Sequence, residues 1–192
     1  EEKKLLQKWK INKEKKIILM PGRLTSWKGQ ELFIKSIHLV KTELGYEAFH
    51  VVILGSEQGR DLYKNKLVNL SKQYNLSNQI KFIDHCEDMA LAYKVSDIVV
   101  SASIEPEAFG RVAVEAQSMK KLIIASNIGG SNETIINGKT GILFDSGDAT
   151  SLSKKIIQAL TMDEATIKLI GEEARKNIIK KFNVEKMCFS TY

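Results

Sequence analysis

Residues 15–37 read KKIILMPGRLTSWKGQELFIKSI and contain, in order, an apolar run, a Pro-Gly turn and an amphipathic segment. The run at 17–20 is unbroken by polar residues, which is typical of a strand buried on both faces of a parallel sheet. The Pro21-Gly22 pair marks a turn. From residue 30 to residue 41, apolar side chains recur at helical spacing. The stretch therefore predicts a strand, a loop and a helix.

The same order of strand and helix repeats along the rest of the chain. Further apolar runs lie at 51–54, 80–83, 97–100 and 122–125, and a weaker run lies at 141–144. Amphipathic segments lie at 61–74, 112–119, 150–160 and 163–180. Alternating strands and helices form a parallel sheet through right-handed crossovers, with helices on both faces. We therefore predict an α/β fold: a Rossmann-like, three-layer α/β/α sandwich with a mostly parallel sheet.

Length and composition limit the classes of protein to consider. The 192 residues suit one domain, and 43% hydrophobic with 27% charged residues is ordinary for a globular protein. No apolar run is long enough to span a bilayer. Cys86 and Cys188 are far apart, which disfavours a disulfide framework or a zinc site and favours a reducing compartment. The net charge of +6 suits anionic partners such as nucleotide phosphates, although solubility explains it equally well.

The loop after the first run combines two cations with two glycines. Gly22 precedes Arg23, and Gly29 follows Lys28 at the predicted start of the helix. In a parallel α/β sheet, ligands bind beyond the carboxyl ends of the strands, where this loop would lie. Glycine permits close backbone approach, and cations beside a helix N-terminus suit a phosphate group. The alternative is two surface cations in an ordinary turn.

A second loop, SASIEPEAFG, follows the fourth run. We expect a helix to begin at Phe109-Gly110, so that the amides of these residues and of Arg111 face a cleft and attract a diphosphate. Glu115 lies about 7.5 Å further along the helix axis, and its carboxylate accepts two hydrogen bonds, which suits the hydroxyls of a ribose. Glu107, on the other side of the phosphates, suits hydroxyls of the group that the diphosphate carries. Ordinary acidic decoration of a turn and a surface helix is the alternative.

Three motifs carry a resemblance to a known family: GRL…KG at 22–29, EAFGRVAVE at 107–115, and EAQSMKKLIIASNIGGSNETIINGKTGILF at 115–144. Together they resemble the donor-binding half of retaining glycosyltransferases of the GT-B fold, family 4. The resemblance extends over almost the whole chain. It includes the closing FNVEKMCFSTY, which is similar to the family's final helix.

The resemblance implies a role for each motif. Arg23, Lys28 and Glu107 would be catalytic: the two cations would bind the diphosphate and neutralise the leaving group, and Glu107 would contact the transferred sugar. Glu115 would hold the ribose, and residues 83–86 would meet the base. The reaction would retain the anomeric configuration without a metal, a cofactor or a protein nucleophile, from a donor such as a UDP- or GDP-sugar. The implied donor-binding set is Gly22, Arg23, Lys28, His85, Cys86, Glu107, Ala108, Phe109, Gly110, Arg111 and Glu115.

Some positions depart from the family's pattern. Lys120 and Leu122 stand where the family often has Gly and Pro, and Asp84 replaces a common glycine, which leaves the shape of the base pocket open. His85-Cys86 beside Glu87-Asp88 predicts no metal site, because adjacent residues of a short loop cannot all face one ion. Gly129-Gly130 fits either an anion nest or a tight turn before a short helix.

We expect residues 1–192 to form the single nucleotide-sugar-binding domain of a longer protein whose N-terminal acceptor domain is absent from this chain. The chain opens in a charged stretch and does not begin with Met. Residues 181–192 would start the final helix, which crosses to the missing domain. The isolated domain would then bind nucleotide but transfer little or no sugar.

The expected function is transfer of a sugar to a sugar or lipid-linked acceptor in polysaccharide, lipopolysaccharide or glycolipid synthesis. The setting would be cytoplasmic, with peripheral contact at the inner face of the membrane. The alternative is a non-catalytic nucleotide-binding or regulatory domain of the same architecture. A dehydrogenase is disfavoured because no G-x-G-x-x-G follows the first run. Nucleic acid is not an expected partner because aromatic residues do not interleave with the basic ones.

Overall fold

The computed structural model describes residues 1–45, 49–59 and 61–182. Within them the strands are β1 (Lys16–Pro21), β2 (Phe49–Leu54), β3 (Ile80–Ile83), β4 (Ile98–Ser101), β5 (Leu122–Ser126) and β6 (Ile142–Phe144). They form one sheet in the order β3-β2-β1-β4-β5-β6, and every pairing is parallel. Each run predicted as a strand is therefore confirmed, and the sheet is parallel throughout its described strands.

Helices cover both faces of this sheet. They are α1 (Glu2–Trp9), α2 (Gln30–Leu44), α3 (Asp61–Gln73), α4 (Met89–Val95), α5 (Arg111–Ser118), α6 (Ser131–Thr134), α7 (Ala149–Thr161) and α8 (Glu164–Lys181). Alternate side chains of β1 point to opposite faces, as strand geometry requires. Ile18 and Met20 join a core with α2, α3 and α7, whereas Ile17 and Leu19 join a second core with α1, α4 and α5. This is the predicted three-layer, Rossmann-like sandwich.

Two of these helices were not predicted. In α1, Leu6 and Trp9 are buried against the second core, although most of the surrounding residues are charged. The seven-residue α4 is capped by Asp88, whose carboxylate accepts from Leu91 N at 2.8 Å. Both helices owe their stability to tertiary packing of a few apolar residues rather than to a long periodic pattern.

The strand order reverses between β1 and β4, which are neighbours at the centre of the sheet. From β1 the chain turns towards β2, and from β4 it turns the other way towards β5, so their loops leave a crevice at the carboxyl edge. The two loops are joined where Ile104 N donates to Trp27 O at 2.8 Å. Gly29, with φ of +77°, permits this approach, because a Cβ there would lie 1.9 Å from Ala102 O.

Among the described helices, none combines the length and apolar character needed to cross a bilayer. The expectation for the final helix concerns residues 181–192, of which residues 183–192 lie outside the described part of the chain. Phe182, the last described residue, lies next to Phe109, with ring centroids 5.4 Å apart. The end of α8 therefore reaches the loop between β4 and α5.

Candidate functional site

A cavity of about 320 Å³ occupies the crevice between the β1 and β4 loops. Its volume lies within the range of small-molecule sites in proteins. The predicted site residues that line it are Gly22, Arg23, Lys28, Glu107, Arg111 and Glu115. The remaining lining residues are Pro21, Trp27, Met89, Tyr93 and Val112. The structure thus brings together both cations of the first loop, Glu107 of the second loop and Glu115 of α5.

Lys28 and Glu107 form an ion pair in the lining of this cavity. Lys28 Nζ lies 2.7 Å from Glu107 Oε2, and the two side chains are only 15% and 17% exposed. The same Nζ lies 4.4 Å from the ring centroid of Trp27, within the range of a cation–π contact. The amine is therefore held in place from two sides, and an anion entering the cavity would share it with Glu107.

The other cation of the loop, Arg23, has an exposed side chain at the rim of the cavity. Its backbone is held by a hydrogen bond from the following helix, because Gln30 Nε2 donates to Arg23 O at 2.8 Å. Gln30 is almost fully buried. The loop backbone is thus anchored at Arg23, while the Arg23 guanidinium has no hydrogen bond or ion pair to any described residue.

Glu107 is held by its side chain and by its backbone. Ser103 Oγ donates a short hydrogen bond to Oε1, so both carboxylate oxygens have a partner. Gly130 N donates to Glu107 O at 2.7 Å, and a Cβ at Gly129 would lie 2.7 Å from that same oxygen. Gly129-Gly130 is therefore a tight turn, packed under the Glu107 loop, that leads into the short helix α6.

The N-terminus of α5 opens at the cavity. Gly110, with φ of +73°, is the N-cap residue, and its carbonyl accepts the bonds donated by Ala113 and Val114. The amides of Arg111 and Val112 precede these, so they belong to the donors that a helix leaves without an internal partner. Both residues line the cavity. The positive end of the helix dipole is thus directed at the same space as the cations.

Glu115 lies one turn further along α5, with an exposed side chain. Tyr93 Oη donates to its Oε2 at 2.7 Å. Burial, and then this bond to Glu115, raise the pKa of Tyr93 well above its ordinary value. The phenol therefore stays protonated and acts as a permanent donor to the carboxylate.

The remaining predicted residues lie outside the lining of this cavity. Ala108 and Phe109 are exposed on the loop before α5. His85 is exposed as well, and Cys86 is half-buried, with its thiol donating to Asp88 O at 3.2 Å. Burial raises the pKa of the Cys86 thiol. Their assignment to the base and the phosphates stays a prediction.

Asp84, which stands where the family commonly has a glycine, forms an ion pair with Lys64. Lys64 Nζ lies 2.5 Å from Asp84 Oδ1 and 3.2 Å from Glu57 Oε2, so this amine joins the loops after β2 and β3. The described residues contain no group of three or more His, Cys, Asp or Glu side chains placed to hold a metal ion.

A larger cavity of about 750 Å³ shares Trp27 with the first. Its described lining includes the large side chains Leu62 and Tyr63 and a single carboxylate, Asp61. It brings together none of the paired charges of the β1–β4 crevice. We therefore take the smaller cavity as the candidate site.

Among the side chains that sequence reasoning missed, Tyr93 and Ser103 donate hydrogen bonds to the two glutamates of the site. Tyr93 lies in the stretch between the third and fourth runs, to which no element was assigned. Ser103 lies in a loop that was singled out, four residues before Glu107. That spacing was the available signal, since a serine so close to a carboxylate in a tight loop is within hydrogen-bonding reach.

Comparison with known proteins agrees with this architecture. The family model described as "Glycosyl transferases group 1" matches residues 1–181. The chain is 28% identical over 181 residues to the capsular polysaccharide biosynthesis glycosyltransferase CapM of Staphylococcus aureus, covering 94% of this chain and 46% of that protein. It thus spans less than half the length of this curated relative.

Two solved structures are close in shape. A glycosyltransferase from Rickettsia africae superposes with a TM-score of 0.92 at 35% identity, covering 99% of this chain and 49% of that one. HepE of Anabaena, crystallised in complex with UDP and glucose, superposes with a TM-score of 0.89 at 25% identity, covering 99% and 50% respectively.

Proposed function

The chain belongs to the glycosyl transferases group 1 family and has the fold of a GT-B glycosyltransferase domain, and from that premise we propose that it is a donor-binding domain for a nucleotide-diphosphate sugar. The observation that carries the proposal is the charged β1–β4 cavity. There Lys28, Arg23 and the N-terminus of α5 line one cavity together with Glu107 and Glu115.

The charges of the cavity match the parts of such a donor. A diphosphate is bound most strongly where cations and free helix amides converge. Carboxylates on either side accept hydrogen bonds from sugar hydroxyls. We assign the diphosphate to Arg23, Lys28 and the first turn of α5, the ribose to Glu115 and the transferred sugar to Glu107. The structural relative HepE was crystallised in complex with UDP and glucose, which supports a nucleotide sugar as the ligand.

We further propose that the site acts by stabilising the leaving group. As the bond between the anomeric carbon and the diphosphate breaks, negative charge accumulates on the departing oxygen, and preorganised cations and amides lower its energy. The acceptor oxygen then bonds to the anomeric carbon on the same face, and its proton passes to a phosphate oxygen. This route retains the anomeric configuration and needs neither a metal nor a protein nucleophile. Undiminished transfer in the presence of EDTA tests the metal-independent part.

The acceptor would be bound by a further domain. CapM is more than twice as long as the matched segment, so we assign most of the acceptor site to the part of such proteins that this chain does not contain. We propose polysaccharide, lipopolysaccharide or glycolipid synthesis as the setting, in the cytoplasm beside a lipid-linked acceptor. The capsular relative, a polysaccharide biosynthesis glycosyltransferase, supports the polysaccharide setting.

A direct test is calorimetric titration of the 192-residue chain with UDP, GDP and uridine. We expect UDP or GDP to bind, and uridine to bind far more weakly because it lacks the diphosphate. Equal affinity for uridine and UDP, or no binding of either diphosphate, would overturn the assignment. A longer polypeptide that includes the acceptor half should release nucleotide from its sugar donor. Binding without release in a screen of donors and acceptors would favour the non-catalytic alternative.

A further inference from the structure

A buried tyrosine holds one of the two glutamates of the site. Tyr93 is 2% exposed, yet it is one of the residues that line the cavity, and its hydroxyl donates to Glu115 Oε2 at 2.7 Å. Glu115 itself is exposed on the surface of α5. An exposed glutamate ordinarily samples several rotamers. The hydrogen bond from the buried Tyr93 therefore restricts the rotamers of the exposed Glu115 side chain.

The fixed position of Tyr93 follows from its surroundings. Its ring packs in the second core, beside Ala92 and Val95 of the same helix. Asp88 caps the start of this helix. At its end, Ser96 donates from both its amide and its hydroxyl to Tyr93 O, at 3.1 and 2.8 Å. The phenol therefore has little freedom to move away from the carboxylate.

The bond also determines which acceptor positions of the Glu115 carboxylate are left for a ligand. Oε2 accepts from the phenol, which leaves Oε1 and the second lone pair of Oε2 for a ligand. Because the carboxylate is ordered before a ligand arrives, binding does not have to supply the entropy of ordering it. The raised pKa of Tyr93 keeps the phenol a donor throughout the ordinary pH range.

We propose that Tyr93 is a positioning residue that orients Glu115 towards the ribose hydroxyls and thereby sets the preference for ribonucleotides over deoxyribonucleotides. The inference rests on the proposed function, since it concerns the same nucleotide site. It assigns a role to α4 in a site built largely from the β1 and β4 loops and from α5.

The test compares UDP with 2′-deoxy-UDP as calorimetric probes of the 192-residue chain and its Tyr93→Phe variant. Phenylalanine keeps the ring in the core and removes only the hydroxyl. In the wild type, UDP should bind about tenfold more tightly than 2′-deoxy-UDP, the low end for a hydrogen bond to a charged group. In Tyr93→Phe, we expect the affinity for UDP to fall about fivefold. The ratio of the affinities for UDP and 2′-deoxy-UDP should fall about threefold or more.

Two controls separate positioning from a structural role. Tyr74→Phe changes a half-buried tyrosine stacked on His38 in the other core, and it should leave the preference unchanged. In a Glu115→Ala background, Tyr93→Phe should not reduce the preference further, because the carboxylate through which the Tyr93 hydroxyl acts is gone.

The outcomes distinguish this inference from the function on which it rests. Equal loss of UDP and 2′-deoxy-UDP affinity in Tyr93→Phe, or no loss of either, would overturn the positioning role while leaving nucleotide binding intact. A wild type that binds UDP but does not discriminate against the deoxy probe would also overturn it. Failure of the wild type to bind UDP or GDP at all would overturn both.

Discussion

Substitutions of Lys28 and Glu107 should change diphosphate affinity in opposite directions. Their ion pair, with Nζ and Oε2 2.7 Å apart, is largely shielded from solvent. A phosphate oxygen bound to Lys28 would lie about 2.8 Å from Nζ. It would therefore lie no further than about 5.5 Å from Oε2, the sum of the two bonds. Two unit charges at that separation repel by about 3 kcal/mol at an effective dielectric constant of about 20.

Lys28, lying between the two anions, offsets much of that repulsion. For Glu107→Gln we therefore expect a net gain of roughly 1 kcal/mol, which is about fivefold tighter binding of UDP. Lys28→Ala removes a hydrogen bond to a charged group and should cost roughly 1.5–3 kcal/mol. It also leaves the Glu107 carboxylate beside the phosphates without its counter-ion. The double variant should therefore bind UDP more tightly than Lys28→Ala alone.

Calorimetry at low and moderate salt measures the affinity of all three variants for UDP. Lys66→Ala is the matched control, because this lysine also pairs with a glutamate, Glu31, at 2.8 Å, but it lies on α3 outside the cavity. Its affinity for UDP should equal that of the wild type. If Glu107→Gln weakened UDP binding as much as Lys28→Ala does, the phosphates would not lie beside this ion pair.

Two further predictions concern stability. His50 has buried ring nitrogens without a partner among the described residues, and burial, with the nearby Lys15 and Lys81, lowers its pKa from the ordinary 6.5. Because the folded state resists a proton that the unfolded chain accepts, stability should fall as pH drops below about 6.5. In urea titrations at pH 7.5 and 5.5, His50→Phe should lose part of this dependence, and an unchanged dependence would refute the assignment. A Cβ at Gly130 would lie 2.6 Å from Phe109 C, so Gly130→Ala should cost about 1–3 kcal/mol of stability and weaken UDP binding. At Gly147 an added Cβ would meet nothing, although the φ of +78° strains any side chain there. Gly147→Ala should therefore cost some stability but leave UDP binding unchanged. Equal losses of UDP affinity in both variants would contradict the packing role of Gly130.

The fold could be predicted because its strands are buried on both faces. Runs such as 17–20 and 51–54 are continuous and apolar, and few other structures suit them. The convergence of loops followed from a general property of parallel sheets, that carboxyl ends share one edge. The adjacency of β1 and β4 did not follow, because strand order depends on packing between elements distant in sequence.

The site was predicted where a residue's chemistry is local and missed where it depends on tertiary contact. Lys28 adjoins Gly29, and Glu107 lies three residues before Gly110, so the sequence itself places both at strand-to-helix turns. Tyr93 reaches Glu115 only because α4 and α5 pack on the same face, and a seven-residue helix gives too little periodicity to reveal that. The choice between a nest and a turn at Gly129-Gly130 likewise depended on the close approach of the Glu107 loop.

A crystal structure of the 192-residue chain grown with UDP would locate the nucleotide. We expect the diphosphate at the N-terminus of α5, within hydrogen-bonding distance of Lys28 Nζ, and the ribose hydroxyls on Glu115. UDP bound in the larger cavity beside Leu62 and Tyr63, with the crevice between the β1 and β4 loops empty, would contradict the assignment of the donor site.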